Sequence, residues 1–181
     1  MQIGCGEKMP LRLYLRPVEL KDAEQLFQWR NEKSVRENSF SMEPIQYEEH
    51  MRWFKNTLND TEQFFFILMM NDIAIGQIRV KREGNLGIIN YSIATQYRAQ
   101  GYGKKMLILI ENYFVQADIQ LVLTAYVKAK NIASQRIFED LGYVLREHSD
   151  VICYEKRKLS FAPMEEIRMS RGGGTFSNKQ S

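Results

Sequence analysis

The sequence YSIATQYRAQGYGKK spans residues 91–105, and it decides the fold more than any other stretch of the chain. Its first residues predict a strand, and an amphipathic helix follows Gly103. Between them lies a loop in which Gly101 and Gly103 let the backbone approach a ligand without a Cβ in the way. N–H groups at the start of a helix bind phosphate oxygens. The stretch therefore predicts a phosphate-binding turn, with positive charge added by Arg98, Lys104 and Lys105.

The glycine spacing excludes two common nucleotide-binding motifs. A P-loop needs Gly-x-x-x-x-Gly-Lys, which is absent, and the dinucleotide fingerprint Gly-x-Gly-x-x-Gly is incomplete. A glycine pair beside basic residues also fits an ordinary connection between a strand and a helix. The rest of the chain has to decide between these interpretations.

The elements before this loop are predicted to be a strand, two helices and three further strands, over residues 11–16, 22–30, 47–58, 64–70, 73–80 and 88–94. Pro17 closes the first strand, and Pro44 precedes the second helix. Asn71-Asp72 and Gly84-Asn85 are turn sequences between the three later strands. The middle of the chain is therefore predicted to be an antiparallel meander.

The elements after the loop are predicted to be a helix, a strand, a helix and a last strand, over residues 106–117, 121–127, 132–141 and 151–155. The final strand–helix–strand succession implies a parallel crossover. Residues 11–158 are expected to form one domain, since the chain has 181 residues. A loose extension is expected over 1–10, and a flexible tail is expected over 159–181, where Gly172, Gly173 and Gly174 follow one another.

Composition excludes several classes of protein. The chain is 44% hydrophobic and 12% aromatic with a net charge of +3, which indicates a packed domain and not a dedicated nucleic-acid binder. The cysteines and histidines, Cys5, Cys153, His50 and His148, share no metal-ligand spacing, so we expect no metal and no disulfide. The chain start lacks the apolar region of a signal peptide, and no apolar run is long enough for a membrane span. A reducing cytoplasm is the expected compartment.

Two motifs resemble those of the GCN5-related N-acetyltransferase (GNAT) superfamily. Residues 98–103, RAQGYG, resemble the Arg/Gln-x-x-Gly-x-Gly/Ala motif with which these enzymes hold the pyrophosphate of acetyl-CoA. Residues 131–143, NIASQRIFEDLGY, resemble the second motif of the family, and Leu15-Arg16-Pro17 with Asp22-Ala23 resembles its usual opening. The resemblance covers residues 11–154 in the right order and spacing.

The resemblance implies the GNAT fold, an α/β (α+β) architecture. Its mixed, mostly antiparallel sheet is flanked by helices and splays open between the fourth and fifth strands, with acetyl-CoA in the gap. Main-chain groups of Ser92, Ile93 and Ala94 would pair with the pantetheine arm. The other coenzyme-binding residues would be Arg98, Ala99, Gln100, Gly101, Tyr102, Gly103, Lys104, Asn131, Ser134 and Phe138. Asn131 is also suited to cap the helix that follows it.

The chemistry implied by the resemblance is direct attack of an amine on a thioester. The Ile93 N–H would then stabilise the oxyanion. Many members have a tyrosine as general acid where this chain has Phe138, so that assignment does not carry over. Tyr143 is a candidate substitute, as are Tyr91 and Tyr126, and the thiolate can also be protonated by water. His50 and Glu43 are the candidate bases.

The N-terminal third is expected to bind the amine. Its residues resemble those of N-acetyltransferases that act on UDP-linked 4-amino sugars in the pseudaminic-acid and related nonulosonate pathways, and this resemblance places Arg30, His50, Trp53 and Asn90 at the acceptor. An arginine beside an aromatic ring can hold a phosphate or stack on a base. Trp29, Trp53 and Phe54 also fit a purely structural core.

Two other functions stay open from the sequence. One is acetylation of the N-terminal amine of a ribosomal or other protein. The other is an acyl-CoA-binding sensor without catalysis, because the chain lacks an obvious acid or base. Neither a nucleic acid nor a membrane is expected as a partner, and the sequence leaves a homodimer open.

Overall fold

The computed structural model describes residues 11–163. The elements are β1 (Leu13–Pro17), α1 (Ala23–Asn31), α2 (Lys33–Asn38), α3 (Tyr47–Asn59), β2 (Gln63–Met70), β3 (Ile73–Glu83), β4 (Leu86–Ile93), α4 (Tyr102–Gln116), β5 (Val122–Lys128), α5 (Ile132–Asp140), β6 (Val144–His148) and β7 (Val151–Lys156). The extension expected over 1–10 and the tail from residue 164 onwards lie outside the described residues.

The strands form one seven-stranded sheet in the order β1-β2-β3-β4-β5-β7-β6. All neighbours are antiparallel except β4 and β5, which pair in parallel through Leu86↔Val122, Gly87↔Leu123 and Ile88↔Thr124. Beyond Ile88 no pairs join these two strands, although β4 continues to Ile93. The predicted fold class is therefore confirmed, including the opening between the fourth and fifth strands.

The predicted parallel crossover at the end of the chain is wrong. Strand β7 pairs with β5 in antiparallel fashion, from Leu123↔Lys156 to Lys128↔Val151. The error arose because β6, which reverses the chain before β7, was not predicted. Val144 and Leu145 of this edge strand are about half exposed, so β6 lacks the alternation that marks a half-buried strand. The parallel crossover instead joins β4 to β5 through α4.

The core lies on both faces of the sheet, and β2 shows why. Phe65, Ile67 and Met69 pack with α1 and α3 on one face. Phe66 and Leu68 pack on the other face, in the cluster that includes α4. Successive strand residues point to opposite faces, so a strand covered on both sides needs a continuous apolar run. This explains the sequence FFFILMM at residues 64–70.

Residues 159–163 follow β7 along α4. The Asn112 side chain donates to the carbonyl of Ala162 (2.8 Å) and accepts from its N–H (2.9 Å). Leu159 packs against the larger core cluster. None of the helices in the described part of the chain is long and apolar enough to cross a membrane, and residues 11–163 contain no cluster of potential metal ligands.

A buried ion pair joins β1 to the start of α1. The Arg16 guanidinium donates to both carboxylate oxygens of Asp22 at 2.7 Å, and the Glu19 N–H donates to the same carboxylate at 2.8 Å. Burial opposes ionisation of Asp22, but the hydrogen bonds from Arg16 and Glu19 and the charge of Arg16 outweigh it, so the pKa of Asp22 is lowered. Bidentate, charge-assisted pairs of this kind are among the stronger polar contacts.

We therefore expect Asp22→Asn to lower the free energy of unfolding by about 2 kcal/mol at pH 7. A lowered pKa gives stability that is present above the ordinary value of 3.8 and is lost as the pH falls through the folded-state value. The difference between the variant and the wild type should thus shrink in urea titrations below about pH 4. The control is Glu83→Gln, because the Glu83 side chain makes only an exposed ion pair with Lys81. A difference that does not change with pH would contradict this assignment.

Candidate active site

A cavity of about 710 Å³ opens where β4 and β5 part. One end of it is formed by the loop before α4, the start of α4 and the first turns of α5. The other end is formed by α1, α2, α3, the connection between α2 and α3, and the exposed side of β3. We call these the coenzyme half and the acceptor half, according to the expectations stated above.

The main chain of β4 faces the cavity at alternate residues. The Ala94 N–H donates to the carbonyl of Ile75 in β3 at 2.9 Å. Hydrogen-bonded and non-hydrogen-bonded pairs alternate in antiparallel ladders, so Ser92 also faces β3. The backbone groups of Tyr91 and Ile93 therefore point into the gap. The Ser92 and Ala94 N–H groups are therefore used in pairing with β3, whereas the Ile93 N–H faces the gap.

The loop before α4 has the conformation of an anion site. Gly101 is the N-cap of α4, with a φ of 78°, and a Cβ at this position would meet nothing within 4 Å. Ala99 also has a positive φ, of 57°. Ala99, Gly101, Tyr102 and Gly103 all line the cavity, so the first N–H groups of α4 face it.

Not every residue predicted for this loop reaches the cavity. Ala94, Gln100 and Lys104 do not line it. Lys104 binds Asp140 at 3.1 Å, and Lys105 lies over the ring of Tyr102 at 5.5 Å. Gly103 has a packing role in addition to any ligand contact, because a Cβ there would lie 3.1 Å from Ile137 of α5.

Arg98 lines the cavity, but its side chain is committed to protein groups. Its Nε donates to the carbonyl of Ile93 at 2.8 Å, and its terminal nitrogens donate to Ser34 Oγ at 2.6 Å and to Glu32 at 3.3 Å. The guanidinium is therefore directed at α2 and the Ile93 peptide, and the Arg98 N–H donates to the carbonyl of Thr95 at 3.3 Å.

The start of α5 closes the coenzyme half. Asn131 caps the helix by accepting the Ser134 N–H at 3.2 Å, as predicted. Ser134 Oγ lies 2.9 Å from the Tyr91 hydroxyl, which bridges α5 to β4. Burial raises the pKa of Tyr91, and the bond to Ser134 opposes that rise. Phe138 lines the cavity and is buried, with its ring 6.0 Å from that of Tyr91.

Of the five candidate acid and base side chains, Tyr91, Tyr126 and His50 line the cavity, whereas Glu43 and Tyr143 do not. Glu43 is exposed and does not line the cavity. Tyr143 is buried against Phe138 and does not line the cavity either. Burial, the charge of Glu111 and contact with that carboxylate raise the pKa of Tyr143 well above its ordinary value. Glu43 and Tyr143 therefore lie outside the cavity in which a catalytic acid or base would act.

His50 does line the cavity, but it is enclosed. It is 1% exposed and lies among Phe27, Trp53 and Phe54. Its Nε2 lies 2.9 Å from the carbonyl of Ala23, which makes Nε2 the protonated nitrogen and holds α3 to α1. Its Nδ1 has no partner among the described residues. Burial lowers the pKa of His50, so the imidazole is neutral near pH 7.

The acceptor half brings together the other predicted residues, Arg30, Trp53 and Asn90. Trp53 is 39% exposed, whereas Trp29 and Phe54 are buried and structural. One terminal nitrogen of Arg30 donates a hydrogen bond to the carbonyl of Ser41 at 2.8 Å. The other terminal nitrogen is buried without a partner among the described residues. Burial and the charge of Arg36 lower the pKa of Arg30, and Glu49 opposes that change.

Several polar residues that line the acceptor half were given no role from the sequence, among them Gln77, Arg79 and Glu49. The Arg79 guanidinium lies over the Trp53 ring at 5.1 Å and makes no ion pair within residues 11–163. Burial lowers its pKa. A usable signal existed, since Gln77 and Arg79 alternate with buried Ile78 and Val80 on a central strand.

Comparisons with known proteins agree with this geometry. Residues 12–144 match the family model described as "Acetyltransferase (GNAT) domain". No curated protein matches the chain by sequence. A domain from Methanocaldococcus jannaschii superposes with a TM-score of 0.74 at 18% identity, covering 82% of this chain and 100% of that one.

Two further solved structures share the fold. Spermidine N-acetyltransferase from Vibrio cholerae, in complex with CoA and spermine, has a TM-score of 0.70 and 16% identity over 79% of this chain and 92% of that one. The ribosomal L7/L12 α-N-protein acetyltransferase RimL, in complex with coenzyme A, has a TM-score of 0.70 and 14% identity over 80% and 93%. None of these three descriptions names a nucleotide-linked sugar.

Proposed function

The chain belongs to the GNAT acetyltransferase family and is an acetyl-CoA-dependent N-acetyltransferase, and we propose that its acceptor is the primary amine of a nucleotide-linked amino sugar. The observation that carries this proposal is the charge of the acceptor half. Arg30 and Arg79 both line it, and neither has a carboxylate partner within 11–163. Desolvated guanidinium groups without a carboxylate partner fit the oxygens of a phosphate or diphosphate.

The same charges argue against a polyamine. Glu49 is the one carboxylate that lines the cavity within the described part of the chain, beside the cationic groups Arg30, Arg79, Arg98 and Lys128. A polycation would need several acidic groups and would be repelled here. Trp53 supports a nucleotide, because its half-exposed ring beside Arg79 can stack on a base or a sugar.

The coenzyme half fits acetyl-CoA on two observations. The α4 N-terminus opens on empty space at Gly101, and the backbone of Tyr91 and Ile93 faces the gap like a strand that lacks its neighbour. Acetyl-CoA supplies a thioester whose carbonyl carbon the amine attacks, so that a C–N bond forms, the C–S bond breaks and coenzyme A leaves as a thiol. The Ile93 N–H donates to the carbonyl oxygen as it gains negative charge.

The amine must lose a proton before or during its attack. The guanidinium groups of Arg30 and Arg79 favour the neutral amine, since like charges destabilise an ammonium ion. Glu49 is exposed and lines the cavity, so it can accept the proton directly or through a water molecule. His50 Nδ1 is enclosed, which leaves His50 the role of fixing α3. With Phe138 in place of a tyrosine, the thiolate is protonated by water.

The test is release of free thiol from acetyl-CoA with three classes of amine: UDP-linked 4-amino sugars, polyamines and short peptides. We expect turnover with the amino-sugar nucleotides and acetylated product by mass spectrometry. Release with peptides alone would shift the assignment to protein N-terminal acetylation. Coenzyme binding without release on any amine would favour the non-catalytic sensor.

A further inference from the structure

Helix α2 forms part of the acceptor half but is not held there by apolar packing. Ser34, Val35 and Asn38 line the cavity. The helix has six residues, and none of them is buried. Helices of this length are not stable by themselves in water. Apart from its packing on α1, α2 therefore depends largely on polar contacts for its position.

These contacts come mainly from the loop before α4 and from the end of β5, and Arg36 also donates to the carbonyl of Asn31 at the end of α1 (3.1 Å). Arg98 donates to Ser34 Oγ at 2.6 Å and to Glu32, the N-cap of α2, at 3.3 Å. Thr95, which precedes the same loop, donates to the same carboxylate oxygen of Glu32. Lys128, at the end of β5, donates to the carbonyl of Glu37 at 3.1 Å. The third donor of Arg98 binds the Ile93 carbonyl at 2.8 Å.

Further hydrogen bonds connect α2 to the residues of the acceptor half. Arg36 of α2 donates to the carbonyl of Met42 at 2.9 Å and so holds the connection between α2 and α3. Ser41 in this connection accepts from Arg30 at 2.8 Å. A series of hydrogen bonds therefore runs from the coenzyme loop through Arg98 and α2 to the guanidinium that faces the acceptor.

We propose that Arg98 is a positioning residue that couples coenzyme binding to the formation of the acceptor half. Phosphate bound by the N–H groups of the loop fixes the backbone at Arg98, and the Arg98 side chain then fixes α2 and the Ile93 peptide together. The inference rests on the coenzyme site of the proposed function and not on the identity of the acceptor. Coupling is reciprocal, so a bound acceptor also tightens the coenzyme.

Hydrogen exchange at the amides of α2 tests this without any acceptor. In the wild type, saturating coenzyme A should slow exchange over residues 33–38 by about fivefold or more. In Arg98→Ala, coenzyme A should still bind, but this slowing should be lost. Glu32→Gln, which changes no volume, should weaken the effect in the same direction and serves if Arg98→Ala does not fold.

The matched control is Lys33→Ala, which removes an exposed ion pair with Glu37 inside α2 and leaves Arg98 untouched. It should retain the coenzyme-dependent slowing. A purely structural Arg98 would speed exchange equally with and without coenzyme A. Retention of the slowing in Arg98→Ala, or its absence in the wild type when coenzyme A is bound, would overturn the proposal. A failure to bind coenzyme A at all would instead overturn the proposed function.

Discussion

Replacing Gly101 by glutamate is expected to abolish binding of coenzyme A, with a loss of affinity of at least about 100-fold. Gly101 is the N-cap of α4, and its φ of 78° costs a residue with a Cβ about 1 kcal/mol. The larger effect is electrostatic. Because a Cβ at Gly101 meets no atom within 4 Å, the new side chain projects into the open cleft. Its carboxylate would occupy the helix N-terminus in place of a phosphate.

The matched control for this variant is Gly84→Glu. Gly84 has a φ of 63° and equally open surroundings, but it lies in the turn between β3 and β4 and does not line the cavity. Gly84→Glu therefore introduces the same charge and a similar backbone strain away from the site. Isothermal titration with coenzyme A should show wild-type affinity for this control. Equal affinity in both variants would contradict a phosphate site at α4.

Replacing Arg79 by glutamine is expected to raise the KM for an amino-sugar nucleotide about 30-fold while leaving coenzyme affinity unchanged. A hydrogen bond to a charged group contributes about 1.5–3 kcal/mol, and more of this is realised where the guanidinium is desolvated. Burial of Arg79 against Trp53 is the condition that makes its loss costly. Steady-state kinetics with each substrate varied in turn separates the two effects.

Arg82→Gln is the control on the same strand. Arg82 is exposed, lies 3.9 Å from Glu62 and does not line the cavity, so both kinetic constants should stay near wild type. A similar rise in KM for both variants would indicate a general effect of net charge. An unchanged KM in Arg79→Gln would remove the phosphate from this end of the cavity.

Much of the fold was predictable because its signals are local. The run at residues 64–70 is apolar on both faces of β2, and the glycines of residues 91–105 stand where strand, turn and helix succeed one another. The proposed coenzyme half follows from these signals, since Ile93 and Gly101 would contribute backbone groups and Asn131 caps a helix. Backbone geometry of this kind follows from the succession of elements.

The remainder depends on contacts between distant residues. Helix α2 and strand β6 have no buried stripe, so periodicity could not reveal them. Arg98 lies 64 residues from Ser34, and no local pattern indicates that its guanidinium turns towards α2. Glu43 was predicted as a base, whereas Glu49, six residues later, is the carboxylate that lines the cavity in the described part of the chain. Glu49 lies in the first turn of α3, which begins at Tyr47, whereas Glu43 lies before Pro44 in the connection that leads to this helix.

The central claim is that an acetyl-CoA site and a phosphate-binding acceptor site share one cavity. The most direct test compares kcat/KM for one amino sugar with and without its nucleoside diphosphate, by thiol release from acetyl-CoA. Two charged contacts, from Arg30 and Arg79, predict a ratio of roughly 100 or more in favour of the nucleotide-linked amine. A ratio near one, with both amines acetylated, would contradict the account.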